Sequence, residues 1–509
     1  MKRVGHRLLL AAIILLTVNS VMGMAQQNEK ILHIAKSKGK VYELLEMLTK
    51  KTGKMFIYDS DVINNDKKAK IDEGDYTLRQ AVKAIIGDNE LELKEIGNHI
   101  LVNKPAYKRK QEVVKVYAKC TVLEGNVIDM GTRKPLGYVS VCIKGTSIGS
   151  VANANGVYRL AVPDSLIHQE VTFSHIGFHT QEVPAEVLRQ QKSMIVMQEQ
   201  ITTLQENVMR LKNPLVLLME MQKCKKQNYP HAPYRETAFY REGVDNNDRF
   251  VRLSEGVFNI YKPRYLSAET EQVKLLKKRN IFFKNAQDSV VAKMKAGIEA
   301  CMMLDIMRNP PDFLRLPNEN YNYFSTGITM IDDRTANTIY FEQKHDIHEP
   351  LCCGELFVDE DNNALLGAKF EINPQYVENA TDMIVEKKGK GLSVTPQKIS
   401  YNLSYRQIDS HYYVSYVRGD LNFKIKKKHK LFGTSHTHLW FEMATCSVDT
   451  ANVTKYDKKE LISKTSIFDE AGYVYDADFW GNMNIIPMEE NISESIRKIT
   501  LKVEEMLGE

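Results

Sequence analysis

Apolar and polar positions follow three different rhythms in three consecutive stretches of this chain. From Ile31 to Lys104, Val41, Leu44, Leu45 and Leu48 recur at helical spacing and predict a helix with one apolar face. Thr52-Gly53 ends it, because glycine accepts the left-handed cap. Met55 to Tyr58 reads as a short strand. Tyr76-Thr77-Leu78 leads into a second helix with Leu78, Ala81, Val82, Ile85 and Ile86 inward. Leu91 to Leu93 and His99 to Val102 read as the strands of a hairpin. Alternating strands and helices of this length predict a small α+β domain over 31–104.

The period changes to two between residues 121 and 198. Val122, Gly125 and Val127 open a strand, Val139, Val141 and Ile143 alternate, and Tyr158, Leu160 and Val162 form a return strand. Polar turns at Asp129 to Pro135, Gly145 to Ser150 and Asn153 to Gly156 separate them. Val171, Phe173, Ile176-Gly177-Phe178 and Val183 complete an all-β sandwich.

Residues 199–230 form a linker and a helix, with Asn213 as cap and Pro214 at the first helical position. Short β-type runs then dominate 231–509: Thr237 to Glu242, Val251 to Tyr261, Asn337 to Gln343, Glu355 to Val358, Leu365 to Ile372, Lys398 to Tyr405, Tyr412 to Val417 and Thr437 to Met443. Two helices are expected among them. One lies near Asp288 to Met307, with Val291, Met294, Ile298 and Met302 on one face, and the other at Ser493 to Leu507. The prediction is a mainly antiparallel β domain with flanking helices, its sheet curling around a helix.

The first 25 residues change the cellular picture. Lys2, Arg3 and Arg7 precede the apolar run Leu8 to Leu16, and Gly23-Met24-Ala25 offers small residues for cleavage. This is the pattern of a secretory signal peptide over 1–25. No later stretch reaches the ~18 apolar residues of a spanning helix. Removing the three signal cations takes the net charge from +5 to +2, which gives no case for nucleic acid as a partner. Seven cysteines, an odd number, then enter an oxidising compartment. We expect most to be buried small hydrophobes, and Cys120 with Cys142 to be placed for a bridge within the sandwich.

Two stretches resemble known families. The helix ending at Thr52-Gly53, the Tyr58 strand, and Thr77-Leu78 followed by Ala81 and Ile85 resemble the short N-terminal domain of secretins and TonB-dependent receptors. That resemblance implies a periplasmic docking module, which in some receptors signals to an anti-sigma regulator. Gly125-Asn126-Val127, Pro135-Leu136, Lys144-Gly145-Thr146, Asn155-Gly156-Val157-Tyr158 and Ser174-His175-Ile176-Gly177-Phe178 resemble the carboxypeptidase-regulatory-like domain. It implies a transthyretin-like sandwich, an accessory fold whose family name does not imply peptidase activity. The family's usual Asp, at the position of Asn153 or Asn155, is missing, since neither residue is acidic here. Leu204 to Met209 stands where receptors contact TonB, but about 300 residues follow, too few for a plug and a large barrel. Asn228-Tyr229-Pro230, Phe239-Tyr240-Arg241-Glu242, Glu255 and Ile260-Tyr261-Lys262 are similar to envelope proteins of the Bacteroidetes group that carry the same sandwich.

Candidate chemistry is sparse. Gly145-Thr146-Ser147-Ile148-Gly149 matches a nucleophile elbow, but strands on both sides make it a hairpin turn. Asp359 to Asn363 fails the calcium-loop pattern at Ala364 and Phe370 and reads as a turn. His345, His348, Cys352 and Cys353 approach zinc-ligand spacing, yet adjacent cysteines on a strand face opposite ways. His436 and His438 share a strand face without a visible third ligand. Lys424, Lys426, Lys427, Lys428 and Lys430 read as a solvated face or a protected edge strand, with anionic headgroups or polysaccharide as the sharper alternative. No catalytic residue, cofactor or metal ligand is assigned.

The expectation is a non-catalytic binding protein of the periplasm, associated with the outer membrane. Its first two domains dock envelope proteins, and its third holds a hydrophobic ligand, a glycan or a protein. The alternatives are a regulator coupled to a TonB or anti-sigma system, and a hydrolase-type enzyme in the C-terminal domain.

Overall fold

A computed structural model describes residues 31–58, 67–89, 91–96, 99–103, 119–190, 192–200, 212–247, 249–282, 292–294, 297–388, 391–427, 433–464, 480–490, 492 and 494. They fall into two compact units, one holding the described residues up to 103 and the other those from 119 onward.

In the first unit, helix α1 (Val41–Thr52) buries Val41, Leu44, Leu45 and Leu48, and ends at Gly53 with φ 72°. Helix α2 (Leu78–Ile86) begins at Thr77, whose hydroxyl accepts from Gln80 N while the Gln80 side chain returns a bond to Thr77 N. The apolar faces of both helices join a three-stranded sheet of Met55–Tyr58, His99–Asn103 and Glu92–Ile96 in one core. Two ribbons complete the unit, Ile31–Ile34 with Gly74–Thr77 and Ser37–Lys40 with Lys68–Ile71.

The second unit opens with the sandwich. One sheet pairs Val157–Pro163, Cys120–Asp129 and Ser193–Met197, and the other pairs Gly149–Val151, Ser140–Ile143, Glu170–Ser174 and Gln181–Pro184. The predicted alternation appears as burial: Val139, Val141, Ile143, Tyr158, Leu160 and Val162 all lie in the sandwich core. Cys120 and Cys142 stand in different sheets, and both are free thiols, so the bridge that their shared domain made possible does not form. Of the seven cysteines, Cys142, Cys301 and Cys446 are buried and the other four are partly exposed.

Helix α3 (Pro214–Lys223) follows, with Asn213 Oδ1 accepting from Leu215 N and Val216 N. The rest is a ten-stranded antiparallel sheet. Its order is Gln272–Phe282, Arg249–Lys262, Tyr234–Asn246, Thr434–Asp449, His411–Lys427, Leu392–Ile408, Leu365–Ile372, Cys352–Asp359, Arg334–Gln343 and Tyr321–Ile331. Thr434–Asp449 joins two meanders by pairing with Tyr234–Asn246. The observed classes, a small α+β part, a sandwich and a mainly antiparallel domain, are those expected.

One face of this sheet is filled by the chain itself. Leu217, Leu218 and Met221 of α3, Ile298, Cys301 and Met302 of helix α4 (Ile298–Met303), and Phe313 all pack on it. Phe313 stacks on Phe341 with ring centroids 4.2 Å apart. The helix expected over 288–307 is corrected to these six residues. Gly297 has φ 93°, which halts a right-handed helix, and Ala292–Met294 is a strand paired with Val385–Lys388. The expected helix at 493–507 lies outside the described residues apart from Glu494. Among the described residues no helix is long and apolar enough to cross a membrane.

Candidate functional site at the sandwich seam

The other face of the ten-stranded sheet meets the sandwich. Ser147 Oγ donates to Val448 O at 2.8 Å, and Arg406 Nη2 donates to Ser147 O at 2.8 Å. Gly177 N donates to Met330 O at 2.9 Å, and Ser174 Oγ bonds the Asp332 carboxylate. Tyr138 stacks on Tyr416 at 5.8 Å. A strap of residues 480–490 fills the remainder. Ser150 Oγ donates to Ile485 O, Asn153 Nδ2 to Met488 O and Arg159 Nη1 to Met483 O, at 2.8, 2.9 and 2.6 Å. Trp480, Ile485 and Ile486 of the strap pack with Val151, Phe239 and Cys446. Buried backbone carbonyls of an irregular strap need donors, and the sandwich side chains supply them.

Under the strap runs a row of charges. Strand register places Glu355 opposite Lys369, Lys369 opposite Asn402, Asn402 opposite Arg418 and Arg418 opposite Glu442. It continues with Glu442 opposite Arg241, Arg241 opposite Glu255 and Glu255 opposite Arg279. Directly opposed residues share a sheet face, so eight side chains form one ladder across eight strands. Signs alternate along it except at Asn402, where a neutral amide stands between two cations. Arg241 is fully buried, donates to Glu255 Oε1 at 2.7 Å, and also reaches Pro487 O at 3.1 Å. Burial disfavours the charges of Arg241 and Glu255, but their mutual attraction outweighs it, raising the pKa of Arg241 and lowering that of Glu255.

A cavity of about 140 Å³ opens where the alternation breaks. Sandwich residues Ser174 and His175 line one side, and Lys369, Asn402, Asp332 and Arg406 line the sheet side. Arg406 Nε is buried with no hydrogen-bond partner among the described residues. Burial raises the pKa of Asp332, which favours its neutral form, against the smaller opposing effects of the Ser174 bond and the Arg406 charge. Burial and then the Lys369 charge lower the His175 pKa to about 4, so this imidazole is neutral at neutral pH. Lys369 and Arg406 outnumber the single carboxylate of the lining, Asp332, so the cavity carries net positive character. Ser404 and Ser415, also on its wall, bond each other at 2.8 Å, and His175 Nδ1 faces the Ile176 carbonyl. The arrangement suits holding a small polar or anionic group.

The residues singled out in the sequence fall elsewhere. Ser147 lies in the hairpin turn between Ser140–Ile143 and Gly149–Val151, its hydroxyl committed to Val448 O. Asp359 to Asn363 is a turn, with Asp359 Oδ1 accepting from Asp361 N and Asn362 N. His348 Nδ1 lies 3.0 Å from Tyr376 Oη, and burial pushes Cys352 up to about 12 and Cys353 up to about 11. Among the described residues no three His, Cys, Asp or Glu side chains converge as a metal site. His436 meets Gln397, while His438 bonds Asp420 at 3.0 Å and faces Asp245 at 3.4 Å. Lys424 and Lys426 lie on a strand paired on both sides, so the edge-strand reading is corrected, and 428–430 lie outside the described residues. Leu204 to Met209 and the signal segment lie outside them too.

Against known proteins, residues 123–209 match the CarboxypepD_reg-like domain. No curated protein matches the chain. Among solved structures, a DUF1329 family protein from Desulfovibrio piger is 10% identical, with TM-score 0.21, covering 49% of this chain and 100% of its own. A LolA superfamily protein from Nitrosomonas europaea is 10% identical, with TM-score 0.18, covering 50% of this chain and 99% of its own. At these scores the likenesses carry no functional argument.

Proposed function

We propose that the protein is a non-catalytic binding protein of the bacterial envelope, exported by its signal segment, that docks a partner through its first unit. The sandwich has one side committed to the ten-stranded sheet and its strap. Docking therefore falls mainly to residues 31–103, the part that resembles the secretin and TonB-receptor module.

The observation that carries this reading is a lysine ribbon. Register places Lys38 opposite Lys70 and Lys40 opposite Lys68, and all four are exposed. Like charges directly opposed across two strands destabilise the ribbon. An acidic partner segment turns that cost into binding energy and speeds encounter. If the partner is an inner-membrane regulator the protein is a signalling component, and if it is a receptor or a TonB-type protein it is an accessory to transport.

The test is a crosslinking pull-down from native envelope with the tagged full chain and with its Lys38→Glu/Lys70→Glu variant. The expected result is recovery of an envelope protein that charge reversal and raised salt both abolish. Equal recovery by both forms contradicts the reading. Circular dichroism of the variant shows whether it is folded.

A further inference from the structure

We propose that the seam cavity is a binding site for a small oxyanion, of carboxylate or phosphate class, that takes the place of the missing acid in the charge ladder. The inference concerns the second unit alone and stands whether or not the first unit docks a partner.

Three observations converge on it. The ladder alternates in sign from Arg418 to Arg279, but Lys369 and Arg418 flank the neutral Asn402. The cavity is lined by Lys369 and Asn402 at that break. Arg406 adds a guanidinium on the same wall. Its Nη2 is spent on Ser147 O and its Nη1 on Cys142 Sγ, leaving the buried Nε without an acceptor. Arg406 is half-buried, and its buried Nε donor stays unmet although the Asp332 carboxylate lines the same cavity. An unmet buried donor is costly, and a bound oxyanion supplies its acceptor together with negative charge between Arg406 and Lys369. Lys369 lines the cavity and is exposed, so the cavity wall reaches solvent there.

Size narrows the ligand. A cavity of about 140 Å³ is close to the ~150 Å³ that holds one benzene, so the occupant has roughly six heavy atoms or fewer. Inorganic phosphate and short carboxylates fit that bound. Because sandwich and sheet both line the cavity, the anion also braces the seam and raises the thermal midpoint by mass action.

The experiment is calorimetric titration of the full chain with inorganic phosphate, sulfate and acetate, each against chloride at matched ionic strength. At least one is expected to bind saturably. Which one binds separates a phosphate ligand from a carboxylate. Arg406→Gln should weaken binding by at least about tenfold. Asn402→Asp is the sharper variant, since it puts the missing negative charge into the ladder. It should abolish binding while raising the thermal midpoint in anion-free buffer. Should Arg406→Gln fail to fold, Asn402→Asp and Lys369→Gln decide the matter, because Lys369 is exposed. No saturable binding of any of the three anions overturns the proposal, and so does binding that Asn402→Asp leaves unchanged.

Discussion

Arg241 and Glu255 face each other across adjacent strands, both almost wholly buried, with Arg241 Nε donating to Glu255 Oε1 at 2.7 Å. Glu442 flanks Arg241 on the other side at 3.5 Å, and Arg279 bonds the second oxygen of Glu255. Removing the central cation leaves two buried carboxylates facing each other. Arg241→Ala is expected to cost about 3–5 kcal/mol, because removing one partner from a buried ion pair is strongly destabilising even with Arg279 and Arg418 left on the outer sides of the two carboxylates. Equilibrium urea unfolding of the second unit's transition measures it.

His438 links two carboxylates on the same face. Burial alone lowers its pKa, but the bonds to Asp245 and Asp420 and their charges outweigh burial and raise it to about 9. The folded value lies above the ~6.5 of the unfolded chain. Its stabilisation is therefore complete below ~6.5 and is lost as pH rises through about 9. Asp420 acts in the opposite sense. Burial raises its pKa, but the His438 and Arg418 bonds bring it down to about 2, so its contribution is complete above ~3.9 and fades as pH falls toward about 2. In a thermal-midpoint series against pH, His438→Gln should flatten the alkaline limb.

Phe313 fills the helix-bearing face of the sheet against Phe341 and Phe370. Phe313→Ala should cost about 3–5 kcal/mol from lost burial and the cavity left behind, read as a lower urea midpoint.

How far this structure is legible in the sequence depends on the range of the interaction. Val139, Val141 and Ile143 are readable because a half-buried strand writes its period into consecutive residues. Thr77 and Gln80 are readable because a capping box spans four residues. The helix over 288–307 misleads, since its apolar spacing continues across Gly297, where the backbone turns left-handed. The ladder is invisible as a ladder. Arg241 stands out only as a charge directly after the apolar run from Ala238 to Tyr240, and its two carboxylate neighbours lie 14 and 201 residues away. Arg406 and Asp332 gave no local pattern at all, because the cavity exists only once the sandwich meets the sheet.

Gly156 closes the sandwich turn at Asn153 with φ 74°, and a Cβ there would collide with the Val127 carbonyl oxygen. Gly156→Ala should lose at least about 1–2 kcal/mol from the left-handed backbone alone. The thermal midpoint of the second unit reports it.

Both functional proposals require the sandwich to be part of the C-terminal body. Native-state hydrogen exchange on the intact chain tests that requirement most directly. Amides of Val141 and Phe173 in the sandwich should share one opening free energy with Leu421 and Phe441 in the ten-stranded sheet, while Ile85 and Val102 of the first unit open separately. Sandwich amides that exchange through an opening of clearly lower free energy than the sheet would contradict it.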